Sequence, residues 1–170
     1  MAFAVVSAQG QAVKKTAPVG AASLAVQGAQ LAETGQCGKA LPMLKKAAAI
    51  KAEKELKRRV GFAGVRCAMT LNQPSQALEF LRMLDQEFPQ DPEVLYLSVH
   101  TYSDLSMRAS QELANVAPDS YPARQLAAES FEVQGRWDDA EKEYRRILEE
   151  NPQVPGIHYR LGRKIGRAHV

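Results

Sequence analysis

The chain of 170 residues is short of the side chains that build sheets and catalytic centres. Aromatic residues make up 6% of it, with one tryptophan, and it has two cysteines and three histidines. β-Branched residues are sparse beside Ala, Leu, Glu, Gln, Lys and Arg, so the composition favours helices over strands. No apolar run approaches the roughly 20 residues of a membrane-spanning helix. An excess of one charge is also lacking. Lys and Arg number 22 against 19 Asp and Glu, a formal net charge of +3. Even the most basic stretch, residues 51–59, carries Glu53 and Glu55. Nucleic-acid binding asks for basic residues gathered on one surface, whereas mixed signs describe solvated helix faces. No nucleic-acid partner and no integral membrane span are expected.

Chemical motifs are missing as well. There is no H-E-x-x-H, no C-x-x-C and no glycine-rich phosphate loop. His100 and His158 fall in different segments, and His169 lies in the last residues. Asp138 and Asp139 open a predicted helix, where acids complement the positive end of the helix dipole, so a structural role explains them. His100, one turn from Tyr96, is expected to be partly buried and hydrogen-bonded. Catalysis needs convergent groups, and no spacing here brings them together. The expectation is a protein that is not an enzyme, with no catalytic residues, no cofactor and no metal site.

What the sequence does have is punctuation. From Ala21 onward, helix-period segments alternate with short breaks, which directs attention to internal repeats. The clearest unit spans residues 121–154. Within it, Phe131 ends one helix, Gly135 makes a turn and Trp137 opens a second helix. Ala140, Tyr144 and Ile147 share a face with Trp137 and are expected to pack inward, and Pro152 closes the unit. Residues 21–54 repeat the grammar with Gly28, Leu31, Gly35, Ala40, Leu44 and Ala47. Residues 58–91 do so with Ala68, Asn72, Ala77, Leu81, Leu84 and Pro89. Residues 55–57 separate these two units. Residues 92–120 form a shorter unit, with one helix over 92–105 and a second over 108–117. A further unit opens at Pro155, with Leu161-Gly162 inside it.

This order of aromatic, glycine, aromatic, small residue, aromatic and proline resembles the tetratricopeptide repeat family over about residues 21–163. The match is fullest at 121–154 and weakest at 92–120. The resemblance implies an all-α, right-handed α-solenoid of antiparallel helix pairs, four pairs plus a truncated fifth, acting as a protein–protein interaction scaffold. In that family, first helices line a concave groove that takes a peptide or a partner helix. The groove positions mapped here are Arg59, Phe62, Arg66, Tyr96, His100, Gln125, Glu129, Glu132, Tyr159 and Arg163, and they suggest a mixed-charge protein or peptide partner. One subtype grips C-terminal carboxylates with Lys and Asn. The corresponding residues here are Ala29, Arg66, His100 and Glu129, so that role is not implied. The arrangement also makes neighbours of the helix ends that carry Cys37 and Cys67. Either the two thiols form a disulfide, or they are separate small buried residues.

The termini carry their own expectations. Residues 1–8 are apolar, and Val6-Ser7-Ala8 suits cleavage after Ala8, so residues 1–20 read as a signal-peptide remnant and flexible lead-in. A periplasmic or secreted location follows, with a cytoplasmic chain and an Ala-rich disordered start as the alternative. Residues 164–170 resemble a translated sequencing adapter and read as a non-native tail. The chain then lacks the second helix of its final pair, and self-association or fraying through that uncapped end is expected. Residues 88–96, 117–121 and 155–159 resemble bacterial tetratricopeptide proteins of uncharacterised role and acidobacterial type. Two other roles stay open beside the exported scaffold: a recruiting arm of a larger enzyme, and a self-assembling array.

Overall fold

The computed structural model describes residues 19–50 and 52–167, the side chains of 19, 21 and 163–167 excepted. Residues 1–18 of the signal-peptide remnant and lead-in read over 1–20, and the last three residues of the adapter-like tail, lie outside the described residues. Among the described residues there are eight helices and no strand. They are α1 (Val19–Glu33), α2 (Cys37–Ala48), α3 (Lys54–Thr70), α4 (Pro74–Glu87), α5 (Pro92–Val116), α6 (Tyr121–Val133), α7 (Trp137–Glu150) and α8 (Ile157–Arg167). The chain has an all-α helical repeat fold.

Three hairpins, α1/α2, α3/α4 and α6/α7, share one three-residue turn. The middle residue of each has a positive φ: Gly35 at 76°, Asn72 at 54° and Gly135 at 73°. Glycine meets no steric cost there, and asparagine tolerates the same region. In each turn the following amide reaches back to a carbonyl of the helix just ended. Gln36 donates to Leu31 at 2.8 Å, Gln73 to Ala68 at 2.8 Å and Arg136 to Phe131 at 2.9 Å. This bonding satisfies carbonyls that the helix end leaves free and folds the chain back on itself.

The returning helices press small residues against their partners. Ala40, Ala77 and Ala140 are all buried. In α3/α4 the approach is closest. A Cβ placed on Gly64 would lie 2.5 Å from the Phe80 ring, and one on Gly61 would lie 2.5 Å from Leu84. These two glycines are what lets Phe80 and Leu84 fill the interface.

The chain divides into two compact units, and the boundary falls inside α5, after Thr101. In the first unit α3 packs against α1, α2 and α4. Its core holds Leu41, Leu44, Val60, Val65, Phe80, Leu81, Leu84 and Val94. Full burial of each such side chain contributes about 1.5–3 kcal/mol. A disulfide joins buried Cys37, at the start of α2, to buried Cys67, late in α3. Asp91 ties α3 to the start of α5. Its carboxylate accepts from the Glu93 and Val94 amides at 2.9 and 3.3 Å and from Arg58 Nε at 3.1 Å. The second unit contains the α6/α7 hairpin with α8 against α7. Its smaller core is Ala128, Ala140, Tyr144, Ile147 and Ile157.

Two expectations need correction. Residues 92–120 were expected to form a helix pair, giving four pairs in all, but Pro92–Val116 is one helix of 25 residues. The turn expected near residues 106–107 would require a residue suited to positive φ. The sequence there is Leu-Ser-Met-Arg, with no Gly or Asn. Arg108 instead pairs with Asp104 one turn back at 3.1 Å, and the Ser110 hydroxyl donates to the Ser106 carbonyl at 2.9 Å, both within a continuous helix. The described residues therefore hold three pairs, a long single helix and α8. Secondly, residues 55–57 are not a separator. They belong to the first turns of α3, which starts at Lys54.

Candidate partner-binding surface

In the first unit, the first helices of the two hairpins, α1 and α3, lie side by side. A shallow cavity of about 260 Å³ opens there, lined by Glu33 from α1 and by Glu55, Arg58, Arg59, Phe62, Ala63 and Arg66 from α3. Three of the residues expected in the groove, Arg59, Phe62 and Arg66, are thus gathered in one place. They sit at positions i, i+3 and i+7, one face of a helix.

The charges in this cavity are unequally committed. Arg58 donates to Asp91 and, through Nη2, to Glu93 at 2.7 Å, and its guanidinium lies 4.8 Å from the Phe62 ring centroid. Those carboxylates raise the Arg58 pKa further above its already high ordinary value. Arg59 pairs with Glu33 at 2.7 Å. Arg66 is exposed and has no ion-pair partner among the described residues. A wider depression of about 440 Å³ lies at the α1/α2 hairpin, but Gln27, Gln30, Leu31, Thr34, Gln36 and Met43 give it no charged anchor.

Tyr96 and His100 lie on α5, with ring centroids 4.3 Å apart in an edge-to-face arrangement. Both are exposed, which corrects the expectation of a partly buried, hydrogen-bonded His100. The first half of α5 is buried along Val94, Ser98 and Thr101, with half-buried Leu97 beside them, and exposed His100 falls outside that stripe.

In the second unit, Gln125, Glu129 and Glu132 share one face of α6. Gln125 Nε2 donates to Glu129 Oε1 at 3.0 Å. Arg160 of α8 pairs with Glu129 at 2.8 Å and with Glu132 at 3.2 Å, and it donates to the Tyr144 hydroxyl at 3.4 Å. Burial, aided by the Glu132 charge, pushes the Tyr144 phenol above its ordinary pKa. Glu129 and Glu132 are therefore engaged inside their own unit. Tyr159 is 72% exposed. Arg163 belongs to α8, and its side chain lies outside the described residues.

Sequence reasoning missed Arg58 and Arg160, the two arginines that organise these surfaces. The signal for Arg160 was present as two acids three residues apart on α6. For Arg58 it was the acid pair Asp91 and Glu93, placed at the start of a helix. In neither case does sequence spacing alone bring the partners together.

The tetratricopeptide repeat family matches residues 122–163, which take in most of α6, all of α7 and the start of α8. Residues 122–163 are thus similar to a tetratricopeptide repeat. Of solved structures, MamA AMB-1 in crystal form P212121 is similar at 17% identity and a TM-score of 0.42, over 82% of this chain and 78% of that one. No curated protein matches. A repeat protein of this family is in general terms a scaffold for other proteins. Among the described residues no helix is long and apolar enough to cross a membrane.

Proposed function

We propose that the chain is a non-catalytic scaffold that holds a peptide or partner helix against the groove between α1 and α3, with Phe62 and Arg66 as the principal contacts. The observation that carries this reading is the imbalance within the cavity. Arg58 and Arg59 are neutralised by acids of the chain itself, which leaves Arg66 as the cation open to a partner, beside an aromatic ring. That combination fits a segment in which an acidic residue neighbours an apolar one. We also propose an oxidising location, periplasmic or secreted. The buried Cys37–Cys67 disulfide supports it, because such bonds persist where thiols are not kept reduced.

Panning a random peptide library against the full chain tests the groove. Enriched peptides should carry the acidic–apolar pair, and Arg66→Glu or Phe62→Ala should weaken their binding by at least roughly tenfold, about 1.4 kcal/mol. Tyr159→Ala, in the other unit, should leave it unchanged. Peptides that bind both groove variants as tightly as the parent chain would remove the groove from consideration.

A further inference from the structure

The groove between α1 and α3 leaves charges of opposite sign uncommitted at its two ends. Glu55, Arg59, Phe62 and Arg66 stand at i, i+4, i+7 and i+11 of α3, one straight stripe along the cavity. Arg59 is paired with Glu33. Glu55 and Arg66 are both exposed and have no ion-pair partner among the described residues, and half-buried Phe62 lies between them. Resting on the groove reading above, we propose that the occupant is an extended peptide segment. It carries an acid, an apolar residue and a base, in that order from the Arg66 end to the Glu55 end.

The Glu55 end is acidic beyond that one carboxylate. Arg58 is shared there by Asp91 and Glu93, so the three keep one net negative charge. The other cations at this end are engaged. Lys57 pairs with Glu87, and the Lys54 ammonium lies 5.2 Å from the centroid of the Phe88 ring. An acid anywhere in the first turn complements the helix dipole. Of the first-turn residues of α3, only Glu55 lines the cavity. A wholly acidic segment would satisfy Arg66 and be repelled at Glu55, so the two ends select a peptide of mixed charge in a fixed order.

The dimensions set the spacing. At about 1.5 Å per residue, Phe62 lies roughly 6 Å along the helix axis from Arg66 and roughly 10.5 Å from Glu55. An extended chain advances about 3.3 Å per residue. The acid therefore belongs about two residues from the apolar side chain, and the base about three residues away on its other side. Spread over roughly 16 Å of helix, the cavity of about 260 Å³ leaves a channel about 4 Å across. That is near the about 4.8 Å taken by an extended backbone and well below the about 10 Å of a helix.

One library of random dodecapeptides, panned against the parent chain and against Glu55→Lys, tests the order. Peptides enriched on the parent should carry a Lys or Arg about three residues from the apolar side chain, on the side away from the acid. Those enriched on Glu55→Lys should carry an Asp or Glu there. The top parent peptide, synthesised and labelled for fluorescence anisotropy, should bind Glu55→Gln about threefold and Glu55→Lys about tenfold more weakly. Replacing its base with Glu should restore binding to Glu55→Lys. Glu112→Lys, the same charge change on an exposed residue of the other unit, should have no effect, and all three variants should keep the parent helicity. Parent peptides that need Arg66 but carry no base, or that bind Glu55→Lys unchanged, would overturn the order and leave the groove itself standing. Peptides indifferent to Arg66→Glu, Phe62→Ala and Glu55→Lys alike would remove both.

Discussion

The two units solve the same packing problem in different ways. Where α3 meets α4, glycine on one helix admits an aromatic and a leucine from the other, so the buried contact is apolar, with the Lys57–Glu87 ion pair beside it. Where α6 meets α7 neither helix has a glycine. Tyr144 fills the interface instead, and its hydroxyl accepts from Arg160, which in turn holds Glu129 and Glu132. The first unit is therefore sensitive to volume and to its disulfide, the second to the charge states of a few side chains. The lesson is that the helix-pair grammar specifies the crossing residue, while the opposite face is free to be aliphatic or ionic. The one tryptophan, Trp137, lies in the second unit. Its fluorescence reports that unit, while far-ultraviolet circular dichroism reports all the helices.

The largest effect expected is from the disulfide. Closing a loop over a sequence separation of 30 contributes about 3.5 kcal/mol, chiefly through the unfolded chain. The Cys37→Ser, Cys67→Ser double variant should lower the dichroism midpoint by the equivalent amount and leave the Trp137 midpoint in place. A shift of both midpoints together would show that the two units unfold as one, and the comparison would fail. Slightly smaller is Gly64→Leu. Its side chain would have to enter space that the Phe80 ring holds, at a cost of about 3 kcal/mol. Denaturation in urea followed by dichroism should show the loss, again without movement of the Trp137 signal.

How far the sequence disclosed this molecule depends on whether a feature is local. The three turns were legible because Gly35, Asn72 and Gly135 each stand between helix-period segments, and a positive φ is a demand on one residue. The crossing alanines were legible for a similar reason, since a small residue on an otherwise large face marks close approach. The break expected in α5 was supplied by the repeat pattern and not by the residues, and no residue at 105–108 could make that turn. In the groove, Arg59, Phe62 and Arg66 were named through the family resemblance, and they share one helical face. Their neutralising partners, and the Arg58 and Arg160 networks, join residues from 16 to 35 positions apart. That pairing is set by how hairpins stack, which no local spacing encodes.

A third effect, of about 1 kcal/mol, separates the turns from the packing. Gly135→Ala puts a Cβ on a residue with φ of 73°, where a Cβ would meet nothing else within 4 Å. The cost is therefore conformational alone, and the Trp137 midpoint should move where Gly64→Leu did not move it. Asn72→Gly in the first unit should be neutral or slightly stabilising, because the native residue already occupies that region at some cost. If Gly135→Ala were silent, the shared turn would not constrain the second hairpin.

The smallest effect is in the pH dependence, and its sign differs between units. In the first, Lys57 beside Glu87 and Arg58 beside Asp91 hold those carboxyls below their ordinary values. The stability they contribute is whole above about pH 4 and is lost as pH falls through the lowered folded values. In the second, burial raises the Tyr144 phenol above the ordinary value of about 10. A raised pKa means that the folded state holds the proton more tightly than the unfolded chain does. That contribution is whole below about pH 10 and is lost as pH rises through the folded value. Acid should accordingly loosen the dichroism transition before the Trp137 transition, and alkali should reverse the order. Tyr144→Phe keeps the ring and removes the ionisation, so the alkaline fall of the Trp137 midpoint should flatten. An unchanged alkaline fall in that variant would assign it to some other group and leave the second unit without its distinguishing sensitivity.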